Sequence, residues 1–227
     1  MRVLDKDGLP EPGVLCLVIV LLAGLFVAFP QIDQVVAFLL WDGQHFLLRK
    51  HWVGMFFDQI LMRILLGMFG LWCLSWMISE AREHFVLGLT RRKYVFSISS
   101  IILSAGIVTN VIFKDHWGRA RPVHLEIFGG TKTFSPAFMI SDQCARNCSF
   151  FSGDASFAFS FLAIALVLPK PYREKLVPAI MVFGTIVGGV RMLYGAHFLS
   201  DVIFAALFTI LILQGMKFFL LRSTVRS

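Results

Sequence analysis

The stretch VPAIMVFGTIVGGVRMLYGAHFLSDVIFAALFTILILQGMKFFLL, residues 177–221, holds two long apolar runs with an arginine, a histidine and an aspartate between them. A bilayer core needs about 20 apolar residues per helix, so 177–193 and 199–221 each predict a membrane span. Arg191, His197 and Asp201 then fall where one helix ends and the next begins, at a membrane surface, because ionisable groups are costly inside hydrocarbon.

The rest of the chain repeats this pattern. Of its 227 residues 57% are apolar and only 15% charged, and the mean hydropathy is +0.77, too apolar for an ordinary soluble domain. Further spans are predicted at 13–29, 57–78, 95–113 and 155–168, which makes an all-α bundle of six transmembrane helices in a single domain, residues 1–227. The fourth span is short and gains turns from 151–154 upstream. The first is read as a span and not as a secretory signal, because Asp5, Asp7 and Glu11 make a poor positive n-region and 31–34 offers no small-residue cleavage site. Between the first two spans, 35–48 (VVAFLLWDGQHFLL) is too short and interrupted to cross, and is expected to lie along the interface with Trp41 and Trp52 as anchors.

With the N-terminus in the cytoplasm, twelve basic residues fall on the cytoplasmic side, from Arg2 and Lys6 through the TRRK run at 90–93 to Arg222 and Arg226. Apart from the polar islands described below, the other side holds Arg49, Lys50, Lys132 and Arg146, so the positive-inside bias puts both termini in the cytoplasm. The net charge of +7 is split between two membrane faces with no basic, aromatic-interleaved stripe, which favours anionic lipid over nucleic acid as the partner. Cys16 and Cys73 lie in apolar segments as small hydrophobes. Cys144 and Cys148, in the outer loop QCARNCSF, are expected to close a small disulfide if that face is oxidising, the alternative being two free thiols; zinc lacks a second ligand pair.

Three polar islands share the outer face. The first, FKDHWGRARP at 113–122, offers Lys114, His116, Arg119 and Arg121, with Lys114 and Arg121 close to two helical turns apart. Arginine grips phosphate oxygens in pairs and lysine neutralises them as a point charge, although the same residues could snorkel to headgroups. The second, FFSGDASF, opens a helix: Ser152, Gly153 and free helix N–H groups can cradle an anion, or Ser152 or Asp154 can act as a simple N-cap. The third, 191–201, sets His197 and Asp201 four residues apart, so that the carboxylate could reach an imidazole nitrogen.

In order and spacing these islands read K-x6-R-P, S-G-x and R-x5-H-x3-D. That combination resembles the type 2 phosphatidic acid phosphatase superfamily over 95–221, and the strings FKDHWGRARP, QCARNCSFFSGDAS and GAHFLSD look like its bacterial lipid A 4'-phosphatase branch. The resemblance implies that Lys114, Arg121 and Arg191 bind phosphate, with Ser152 and Gly153 completing the cradle, and Arg119 and His116 are counted with them as substrate-binding residues. It implies that His197, oriented by Asp201, attacks phosphorus to form a phosphohistidine, which water then hydrolyses without a metal or other cofactor. The family usually carries histidine after S-G, whereas this chain has Asp154, which leaves Asp154 or His116 as the leaving-group acid.

The expected activity is therefore hydrolysis of an anionic lipid's phosphate monoester, the 4'-phosphate of lipid A, at the periplasmic face of the bacterial inner membrane. Polyprenyl diphosphate and phosphatidylglycerophosphate are alternative substrates. A lipid or ion transporter is the reading from another class; it would need ionisable groups deep in several spans, where only Asp58, Arg63 and Asn110 begin to fit, Arg63 being expected to pair inside the bundle. The loop 123–149 is long enough to cover the site.

Overall fold

The computed structural model describes residues 3–221, so Arg2, Arg222 and Arg226 of the orientation argument lie outside it. The described chain is all-α: α1 (Pro12–Ala28), α2 (Gln31–Leu39), α3 (Trp52–Gln59), α4 (Leu61–Ala81), α5 (Arg91–Ile101), α6 (Gly153–Ser160), α7 (Leu162–Val167), α8 (Lys170–Leu193) and α9 (Leu199–Leu221). A π-helical stretch, Ile102–Lys114, continues α5, and two short 3-10 turns, Pro122–His124 and Glu126–Phe128, shape the long outer loop.

Among the described residues four helices are long and apolar enough to cross a membrane: Trp52–Ala81, Arg91–Lys114, Lys170–Leu193 and Leu199–Leu221. Helices α1 and α2 reach that length only together, bent by 83° at Phe29 and Pro30. The sequence places a span at 155–168, where the fold has the 15-residue Gly153–Val167, about 22 Å long at 1.5 Å per residue. Helices α6 and α7 are buried along almost their whole length, packed between α5, α8 and α9, so this element forms the bundle's centre and presents little surface to lipid. Close approach is carried by small residues: a Cβ on Gly184 would meet the Phe159 ring at 2.6 Å, and one on Gly188 would meet Val202 at 2.2 Å.

The outward faces of α1 and α4 are apolar and exposed, with Val20, Leu21, Leu71 and Met77 each more than half accessible, as lipid-facing surface requires. Arg63 is exposed on α4, so the pairing inside the bundle expected of it does not form. At one end of the bundle Asp5 and Asp7 clasp Lys217, and Asp7 also meets Arg173 at 3.1 Å, which ties the N-terminal segment to α8 and α9. At the other end the polar islands gather.

Candidate active site

The π-helical winding delivers the first island. Opening the ladder to i→i+5 lets Thr109 donate to the Ser104 carbonyl and Asn110 to that of Ala105, and it brings Asn110 and Lys114 onto the face that meets α6. Lys114 packs directly on the start of α6, since a Cβ on Gly153 would lie 2.9 Å from its Nζ and 3.0 Å from Asn110 Oδ1. A side chain there would have to displace the Lys114 and Asn110 side-chain ends, while the backbone itself is in an ordinary conformation.

Lys114, Arg121, Arg191 and Asp154 line one cavity of about 580 Å3, together with Asp58, Asn110 and Asn147. Its other wall is apolar, formed by Met62, Leu66 and Phe69 of α4 and by Ile101, Ile102, Ala105 and Gly106 opposite. Lys114 Nζ and Arg121 Nη2 both donate to the side-chain oxygen of Asn147, at 3.1 and 3.0 Å, and Arg121 also reaches the Asn147 carbonyl at 3.0 Å. Asn147 adopts φ +52°, a left-handed conformation that asparagine tolerates better than most residues. Cys144 and Cys148 form a disulfide around it, and the Cys148 N–H bonds the Lys114 carbonyl at 3.0 Å, so the cross-linked loop is fastened to the first island.

Arg191, in the last turn of α8, sits between two carboxylates: Nη1 is 2.5 Å from Asp58 Oδ1 and Nε is 2.9 Å from Asp154 Oδ2. Arg121 is held largely out of water, and burial lowers its pKa, so its charge is poorly solvated and open to an anion.

The third island keeps Asp201 beside the His197 ring, but not through helical geometry. His197 precedes α9, so the i, i+4 geometry of a helix does not apply, and Asp201 Oδ2 stays 3.6 Å from Nδ1. Nδ1 instead bonds the Ser149 carbonyl at 2.8 Å. A carbonyl only accepts, so the proton sits on Nδ1 and the lone pair on Nε2, which is buried without a partner. Asp201 acts one step away: it accepts from the Ser149 hydroxyl and reaches back to the Phe198 N–H at 2.8 Å as the carboxylate of a capping box.

Arg119 also differs from its place in the expected phosphate clamp. It is fully buried, and its donors go to Asp201 Oδ1 at 2.6 Å, Asp33 Oδ2 at 2.8 Å, Ser200 Oγ at 2.9 Å and the Ser135 carbonyl at 2.9 Å. It therefore supports the His197 loop from behind, away from the cavity. His116 is exposed, bonded to the Val111 carbonyl at 2.8 Å, and outside the cavity lining. Ser152 is the N-cap of α6, its hydroxyl accepting from Ala155 N and its own N–H donating to the Asp201 carbonyl at 3.1 Å, which joins the second island to the third. Asp33, Asp58 and Asn147 are site neighbours outside the motifs; the spacing of Asp58, Met62, Leu66 and Phe69 along one helix face was the available signal for the second.

Burial above all, with Lys114 and Arg121 acting the same way, holds the His197 pKa down at about 4 against the opposing pull of Asp201. The imidazole is thus neutral throughout the neutral range. Because the unfolded chain would take up that proton near 6.5, this histidine's contribution to stability is complete above 6.5 and is lost as pH falls towards 4. An NMR titration of labelled histidine should show His197 unprotonated at pH 5.5; a midpoint near 6.5 would contradict the buried geometry.

Residues 94–223 match the PAP2 superfamily, more than half of the chain and a segment containing all three islands. The chain belongs to the PAP2 superfamily. Within it, the chain is similar to the lipid A 4'-phosphatase of Francisella tularensis subsp. novicida (strain U112), 40% identical over 175 residues that cover 74% of this chain and 72% of that one. It is also similar to the lipid A 4'-phosphatases of Rhizobium etli, 39% identical over 49% of this chain and 43% of that one, and Rhizobium leguminosarum, 30% identical over 55% and 54%. No solved structure matches the chain. Among the described residues no group of three or more histidine, cysteine or acidic side chains is arranged to hold a metal ion.

Proposed function

We propose that the chain is a membrane lipid phosphatase that hydrolyses the 4'-phosphate monoester of lipid A. The carrying observation is the single cavity with Lys114, Arg121 and Arg191 at one end and an apolar wall at the other, which suits a phosphate on a lipid. Membership of the superfamily and the names of the three relatives support the same reaction and substrate.

Phosphate oxygens take the three cations, with Asn147 keeping Lys114 and Arg121 together. Fixed positive charge around the equatorial oxygens is the main demand of phosphoryl transfer. The Nε2 lone pair of His197 forms the N–P bond as the P–O bond to the sugar breaks, and Asp154 protonates the departing oxygen. Asp154 then accepts a proton from water, whose oxygen attacks phosphorus and releases inorganic phosphate from His197. Asp154 lines the cavity while His116 is exposed outside it, which favours Asp154 as the acid once the substrate phosphate takes over Arg191. Asp154→Asn should lower kcat about 10²-fold or more, while His116→Ala stays within a few-fold of the parent. The reverse ranking would transfer the role to His116.

We read the bundle as six spans, α1, α3–α4, α5 with its π stretch, α6–α7, α8 and α9 crossing in turn with α2, turned 83° from α1, along the interface; α3–α4, α5 with its π stretch, α8 and α9 are each long and apolar enough to cross alone. The basic residues at the opposite end from the site support cytoplasmic termini and a periplasmic site in the bacterial inner membrane. The test is phosphate release from lipid A by the purified protein in detergent, expected from the 4'-position; absence of release under conditions where the protein is folded would overturn the reading.

A further inference from the structure

Asp58 stands outside residues 94–223, yet its carboxylate lines the cavity with a side chain 30% accessible. Two contacts fix it, Arg191 Nη1 at 2.5 Å and the Tyr194 hydroxyl at 3.3 Å, and Arg49 covers the Tyr194 ring at 4.5 Å. Asp58 also heads the stripe formed with Met62, Leu66 and Phe69, which is the apolar wall. It therefore marks the junction where the cationic end of the cavity gives way to the apolar cleft.

An anion bound by Lys114, Arg121 and Arg191 leaves its organic part extending along that cleft, past Asp58. A monoester has only an ester oxygen and a neutral sugar at the junction. A diphosphate whose terminal group fills the same position has its second phosphate there, facing a carboxylate. Asp58 already offsets one of the three cavity cations, so the surplus positive charge is at most two and a third or fourth negative charge finds no partner. We propose that Asp58 is a specificity-determining residue that sets the site for phosphate monoesters and against diphosphates. The inference rests on the reading of this cavity as a phosphate site, and it adds a reason for one substrate class over the other.

Binding of inorganic phosphate and of pyrophosphate to the full chain in detergent, followed by calorimetry, tests it without requiring turnover. The parent should prefer phosphate. Asp58→Asn should improve pyrophosphate relative to phosphate by about tenfold, the scale of one unit charge acting across several ångströms between protein and water dielectrics. Asp58→Glu should keep the parent's preference, and Tyr194→Phe, which removes a hydrogen bond and leaves the charge, should keep it too. Asp58→Ser reads the same charge if the asparagine variant does not fold.

If Asp58 only braced Arg191, its loss would weaken both anions in equal proportion; that result, an unchanged ratio, or no binding of either anion would overturn the proposal. A parent that fails to act on lipid A but shows the tenfold change would refute the lipid A reading and leave this one standing.

Discussion

His197→Ala should lower phosphate release by about 10⁴-fold or more, the scale seen when a nucleophile is removed from a group of residues acting together. His197 is buried with a neutral imidazole, one nitrogen bonded to the Ser149 carbonyl and the other without a partner. No other histidine shares this arrangement: the other five are exposed or half-buried, His116 and His124 both being exposed. Parent protein quenched during turnover of labelled substrate should carry phosphate on His197, and the alanine variant none, with its thermal unfolding within a few degrees of the parent. Turnover of the variant near the parental rate would mean that phosphate passes directly to water.

Arg119→Met should be the most destabilising single change near the site. It leaves Asp33 and Asp201, both essentially inaccessible, as two carboxylates without their common cation. Breaking a buried ion pair costs about 3–5 kcal/mol because the remaining charge is uncompensated. Adding Asp33→Asn should restore part of the loss, because one buried charge then goes as well. Thermal unfolding in detergent, with activity read in parallel, checks both steps. An Arg119→Met protein as stable as the parent would show that Arg119 is dispensable behind His197.

The islands were legible because charged residues at the ends of apolar runs are costly and therefore conspicuous. Their internal division of labour was less so. Lys114, Arg119 and Arg121 lie within eight residues and look alike as cations, but Arg119 meets Asp33, 86 positions away, and is spent on support. His197 and Asp201 have helical spacing in sequence, yet the helix starts at Leu199, so the histidine falls outside its regular geometry. Asn147 carries no periodic signal, and only the disulfide loop and its left-handed backbone place it between two cations. The bundle was legible from hydropathy, which reports apolar length and not burial: 155–168 reads simply as a short span, whereas α6 and α7 fill the centre.

The most direct test of the central claim is mass spectrometry of lipid A from bacterial cells making either the parent or His197→Ala. The parent should yield lipid A lacking one phosphate, with fragmentation placing the loss at the 4'-position, and the variant should leave it bisphosphorylated. Unchanged lipid A in cells holding folded parent protein, or loss of phosphate from another lipid alone, would contradict the account.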